Sequence, residues 1–191
     1  RVNVLAYDYE GYGKSNGRPS EQGCYDDIDA AYAFLTLTLR TPPEQIVLYG
    51  RSVGSGPSCY LAERLHKEQV ILGGLILQVR TKPSQYLLPS ISLYLIHFQP
   101  SNLQAPLMSI FRVAFNFRAT LPYDMFPNID RIGNISCPVF FIHGVKDEVV
   151  PFWNGQELFL AAPAALRAKP WWVPDGGHNN LESLYRYDSL V

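Results

Sequence analysis

A chain of 191 residues is long enough to bury the core of one domain. With 47% hydrophobic residues and a net charge of −1, its composition is that of a globular protein, which excludes a disordered chain. Lys and Arg are scattered, so no basic surface for nucleic acid is expected. Cys24, Cys59 and Cys137 are odd in number and contain no Cys-x-x-Cys pair. They read as reduced, packed thiols of a cytosolic protein, not as a disulfide frame or zinc site. No signal peptide is evident, and Arg1 leads straight into a strand pattern. The true N-terminus, and any localisation signal with it, is therefore expected to be missing from this sequence.

Short apolar runs alternate with helical stretches, which predicts an α/β fold with a mainly parallel sheet and helices on both faces. In chain order the first strand is expected over Val2–Tyr7. A helix follows, with Tyr25, Ile28, Ala31, Tyr32 and Leu35 at helical spacing, Ser20 as its N-cap and Gly23 weakening its first turn. Pro42 and Pro43 break the chain before a strand over Ile46–Tyr49. The spacing then predicts a helix over Ser52–Lys67, strands over Leu72–Leu77 and Val139–Ile142, and a helix over Asn154–Ala162. A strand over Pro170–Val173 and a last helix from near Asn180 complete the pattern. The strands are almost continuously apolar, as expected when both faces are covered.

Chemistry enters with Gly50-Arg51-Ser52-Val53-Gly54, directly after the strand Ile46–Tyr49. Gly-x-Ser-x-Gly arises by chance in roughly one chain in fifteen of this length, so the motif alone says little. A strand leading in and a helix leading out give it the context of a nucleophile elbow. There the serine sits on a strained turn, and glycines at 50 and 54 remove side chains that would strike neighbouring backbone. The turn presents the Ser52 hydroxyl at a helix N-terminus, where N–H groups favour developing negative charge. Gly56 is expected to let that helix lie close to the sheet, and Pro57 is tolerable in its first turn. The plain alternative is a glycine-rich turn with an idle serine.

A serine hydroxyl needs a base, and histidine has a suitable pKa. His66 falls at the solvated end of the helix after the elbow, and His97 in an atypical segment. His143 ends an apolar strand, where a satisfied, partly buried imidazole is expected. His178 follows Val173-Pro174-Asp175-Gly176-Gly177, a turn leaving a strand, and is the expected base. Asp147 lies just past the strand Val139–Ile142 and between nucleophile and base. The order Ser, Asp, His is that of α/β-hydrolases, so Asp147 is the expected acid, with Glu148 and Asp175 as alternatives.

Several longer motifs carry a resemblance. They are Asp8-Tyr9-Glu10-Gly11-Tyr12-Gly13-Lys14-Ser15 with Gly17-Arg18-Pro19-Ser20-Glu21, Leu48 to Gly54, and Phe126-Pro127-Asn128-Ile129. His143-Gly144 with Asp147-Glu148-Val149, and Gly176-Gly177-His178-Asn179, complete the set. Together these resemble the α/β-hydrolase domain-containing protein 17 family over nearly the whole chain outside residues 79–104. The resemblance implies a serine hydrolase that removes palmitoyl groups from cysteine thioesters of membrane-attached proteins, without metal or organic cofactor. Its partners would be acylated proteins or lipid-like esters, with no nucleic acid and no transmembrane segment. Ser52, Asp147 and His178 match the family triad, the Val53 N–H one oxyanion donor, and Asp8 a structural loop position.

The family's second oxyanion donor comes from a His-Gly-Asn loop that would precede Arg1. Losing such a donor typically costs about 10²–10³ in rate. Missing N-terminal strands would also expose a sheet edge. The family's cysteine-rich anchor, which would hold a cytoplasmic protein on the plasma membrane or endosomes, would likewise lie upstream.

Within a single incomplete hydrolase domain over residues 1–191, the segment 79–104 is atypical. Its apolar stretch Tyr86 to Phe98 is too short and broken to span a bilayer. One reading is a lid that receives an acyl chain. The favoured one is a translated retained intron, because Val79-Arg80 and Leu103-Gln104 can encode splice-like ends. Its removal would restore Leu-Gln-Ala-Pro. Two rivals to the depalmitoylase reading stand: a carboxylesterase, lipase or serine peptidase on the same fold, and an inactive fragment or non-catalytic scaffold.

Overall fold

The structure, a computed structural model, describes residues 2–78, 125–148 and 150–177. Four parallel strands form one sheet in chain order: β1 (Val47–Arg51), β2 (Gly74–Gln78), β3 (Val139–Gly144) and β4 (Trp171–Val173). Helix α1 (Glu21–Ala33) precedes β1, α2 (Ser55–Lys67) joins β1 to β2, and α4 (Phe152–Ala161) joins β3 to β4. A short helix, α3 (Asn128–Arg131), lies ahead of β3. Strands added in one direction by right-handed crossovers place their connecting helices on the same face.

That face forms the main core. Leu75, Leu77, Val139 and Phe141 from the strands meet Leu61, Ala62 and Leu65 of α2, Leu158 of α4 and Ile28 of α1. Register puts these strand residues on one side, with Gly50, Leu77 and Phe141 in adjacent positions. Each fully buried leucine or phenylalanine contributes about 1.5–3 kcal/mol through removal of apolar surface from water. On the opposite side Tyr49, Ile76 and Phe140 are in register; Tyr49 is exposed and the other two half-buried.

Most expected elements are present with ends shifted by up to three residues, the largest shift being the start of α2 at Ser55 where Ser52 was expected. Ser20 caps α1 as expected, its Oγ accepting from the Gly23 N–H at 2.9 Å. The helix widens into a π turn at Phe34–Thr38, which takes Leu35 out of the regular spiral. One expected element fails. Residues 2–7 form no strand, and Val2 and Val4 are 88% and 83% exposed. An apolar run becomes a strand only where a neighbour supplies the other half of the ladder, and no described strand lies beside this one. The expected helix from Asn180 and the segment 79–104 lie outside the described residues.

Candidate active site

Beyond Arg51 the chain makes a single 3₁₀ turn, Ser52–Gly54, and enters α2. Ser52 has φ = +60°, a left-handed conformation rarely adopted by non-glycine residues, and is 4% exposed. Gly50 permits this turn: a Cβ there would lie 2.9 Å from Gly54 O, Ser55 Cα and Ser58 Oγ. Gly54 is different. Its φ is −58°, and an added Cβ would meet only the Tyr9 hydroxyl, at 3.4 Å. The expectation of two sterically required glycines therefore holds for Gly50 alone. Gly56 is also placed differently from expectation, since a Cβ there would strike the Phe126 ring at 2.2 Å, not the sheet. Val53, 6% exposed, occupies the middle of the turn.

Asp147 lies three residues beyond β3, at the same carboxyl edge of the parallel sheet as Ser52. It is 8% exposed, and its Oδ1 accepts the Val150 N–H at 2.8 Å. Both alternative acids, Glu148 and Asp175, are exposed. Asp175 instead pairs with Lys146 at 2.7 Å, a hydrogen bond that lowers its pKa. Backbone bonds tie the Asp147 loop to the turn after β4: Val145 N–H to Val173 O at 2.9 Å, and Lys146 N–H to Gly176 O at 2.8 Å. Gly144 allows this approach, because a Cβ there would lie 2.2 Å from Gly176 O. The stitched turn runs to Gly177; His178, like His97, lies outside the described residues.

The two remaining histidines are far from an attacking role. His66 is exposed and pairs with Ser136 at the other end of α2, roughly 20 Å along the helix from Ser52. His143 is buried to 0% exposure, deeper than expected. Its Nε2 lies 3.1 Å from Val150 O, and among the described residues its Nδ1 has no partner. A buried polar atom left without a hydrogen bond costs about 1–3 kcal/mol.

No protein-family model matches the chain. Over 186 residues, 97% of its length, it is 38% identical to α/β-hydrolase domain-containing protein 17C of Mus musculus and of Homo sapiens. It is 37% identical to the 17B protein of Xenopus laevis over the same span. The chain covers 48%, 46% and 53% of these proteins, about half the length of the curated relatives it matches. Among solved structures it is similar to a Pyrococcus furiosus esterase with TM-score 0.59 and 17% identity, covering 95% of this chain and 64% of the esterase. A monoacylglycerol lipase from Paleococcus ferrophilus gives TM-score 0.56 and 19% identity, over 93% of this chain and 75% of the lipase. The fold is the α/β-hydrolase fold.

In this fold the elbow rests on side chains to which the motifs assigned no role. Asn128, fully buried, donates through Nδ2 to Ser55 Oγ at 3.1 Å, and Ser55 opens α2. The Phe126 N–H donates to Glu21 Oε1 at 2.8 Å. The Tyr25 hydroxyl also donates to that carboxylate and accepts from Arg131 Nη1 at 2.6 Å. The Arg131 guanidinium lies 4.7 Å from the Tyr25 ring centre and 5.5 Å from that of Tyr60, joining α1, α2 and α3 beneath the elbow. The advance signals were Phe126-Pro127-Asn128 and the Glu21 that ends Gly17-Arg18-Pro19-Ser20-Glu21, both as motifs of the resemblance.

The three cysteines are buried and free. Burial pushes the thiols of Cys24 and Cys59 up to about 12 and that of Cys137 up to about 11, so none is a ready nucleophile at neutral pH. Among the described residues no helix is long and apolar enough to cross a membrane.

Proposed function

We propose that this chain carries the catalytic centre of a serine hydrolase acting on acyl thioesters or esters. The observation that carries the reading is the left-handed Ser52 on a strand-to-helix turn, with the buried Asp147 at the same sheet edge. The turn that leads to His178 is bonded to the Asp147 loop, which supports His178 as the base.

In this reading Ser52 Oγ attacks the acyl carbonyl while its proton passes to His178. Asp147 holds the imidazole in one tautomer and stabilises the imidazolium. The Val53 N–H helps hold the oxyanion at the head of α2. His178 returns the proton to the leaving sulfur or oxygen, giving an acyl-Ser52 intermediate. Water, deprotonated by His178, then releases the acid and restores the hydroxyl.

The curated relatives support a hydrolase, and the resemblance to the 17 family favours S-palmitoylated proteins as substrates. The esterase and lipase among the structural neighbours keep simple esters as a second reading. Turnover of a palmitoyl-thioester peptide and of a short-chain ester, each with the native protein and Ser52→Ala, separates them. The depalmitoylase reading predicts preference for the thioester and its loss in the variant. Preference for the ester moves the function to the second reading, and turnover that survives Ser52→Ala removes both.

A further inference from the structure

The buried imidazole of His143 takes no part in the steps above, yet it faces the group that does. It is the fifth residue of β3, and its ring is in edge contact with Phe152 of α4 at 5.5 Å. Its Nε2 lies 3.1 Å from the Val150 carbonyl and 3.5 Å from Asp147 Oδ2. The Val150 N–H in turn holds Asp147 Oδ1 at 2.8 Å. One imidazole edge therefore touches both ends of the 147–150 turn. A carbonyl can only accept, so Nε2 carries the proton in this contact.

The other edge of the ring is costly. Nδ1 has no partner among the described residues and lies against the first turn of α4, where a Cβ on Gly155 would come within 2.2 Å of it. Packing alone favours an apolar side chain of similar volume, which would leave no polar atom stranded. Phe152, in edge contact with the imidazole, packs on Trp172, and Trp172 on Phe159, so the ring adjoins an aromatic cluster. The imidazole is explained by what its Nε2 does.

We propose that His143 is a positioning residue for Asp147, its Nε2–H holding the Val150 carbonyl and facing the carboxylate so that the acid keeps one orientation. The inference rests on the proposed triad and adds a member that acts through Asp147 without touching substrate. Loss of this contact lets the carboxylate turn, and small misplacements of a catalytic group cost up to about 10²-fold in rate.

The test is a double-mutant cycle in the full protein, with kcat, KM and thermal midpoint measured together. His143→Leu is expected to lower kcat about 10- to 100-fold, with KM within about twofold and an unchanged or raised midpoint. His143→Gln, which keeps a donor, is expected to recover part of that loss. In an Asp147→Asn background His143→Leu is expected to change kcat less than about threefold. Native kcat in His143→Leu, a midpoint that falls with activity, failure of the leucine variant to fold, no recovery with glutamine, or full loss on top of Asp147→Asn would each overturn the proposal. Ser52→Ala run alongside keeps the outcomes apart. If it retains activity, the triad reading itself fails; if it is inactive while His143→Leu is native-like, only this inference fails.

Discussion

The elbow around Ser52 and the loop around Asp147 present their side chains at one edge of the same sheet, yet they are held by different forces. Sterics hold the elbow: a left-handed serine, no room for a Cβ at residue 50, and a buried Asn128–Ser55 bond behind it. Hydrogen bonds hold the acid loop: Val150 to Asp147, Val145 to Val173 and Lys146 to Gly176. A strained turn is rigid because its neighbours leave no alternative. A hydrogen-bonded loop is placed as well as its weakest partner allows. The elbow should therefore fail through bulk at residue 50, and the acid loop through loss of a donor as well as through bulk at Gly144, where a Cβ would lie 2.2 Å from Gly176 O.

Substitutions can break this contrast in order of effect. Asp147→Asn keeps the volume but alters the acid, and should lower kcat about 10⁴-fold while the thermal midpoint moves little. Comparable rates for the two proteins would remove Asp147 from the mechanism. In Leu77→Ala the shared core loses a fully buried side chain, and chemical denaturation should show a loss of about 2–5 kcal/mol. Gly50→Ala forces a Cβ against backbone at 2.9 Å and should cost about 1–3 kcal/mol while also displacing Ser52. Gly54→Ala meets only the Tyr9 hydroxyl, at 3.4 Å, and has a helical φ, so stability should change by less than about 1 kcal/mol. Equal effects at 50 and 54 would contradict the steric account.

A pH series sharpens the picture of the core with the smallest effect. Cys24, Cys59 and Cys137 bind their protons more tightly folded than unfolded, with folded values of about 11–12 against 9.0. Their contribution is intact below pH 9 and is lost as pH rises toward about 11–12, where the unfolded chain gives up the protons first. Thermal midpoints should therefore decline across that window. Alkylation of the folded protein should stay slow at pH 8.

The elbow was legible because its determinants are local: a strand, a glycine and a helix within a few residues of Ser52. The order of Ser52, Asp147 and His178 was an expectation drawn from the fold, and His178 lies outside the described residues. What escaped depends on distant packing. Val2–Tyr7 has a strand's composition but no paired neighbour among the described residues, and composition cannot report that. Gly54 shares its motif with Gly50 and Gly56 follows two residues on, yet a Cβ on one would meet only the Tyr9 hydroxyl at 3.4 Å and on the other would strike the Phe126 ring. The burial of His143 and the bond from Asn128 to Ser55 arise where separate parts of the chain meet.

Covalent trapping addresses the centre of the account directly. After reaction of the full protein with a fluorophosphonate, peptide mass mapping should find one adduct, on the peptide containing Ser52. The adduct should vanish in Ser52→Ala and form orders of magnitude more slowly in His178→Ala. Modification of another serine, or labelling indifferent to the loss of His178, would contradict it.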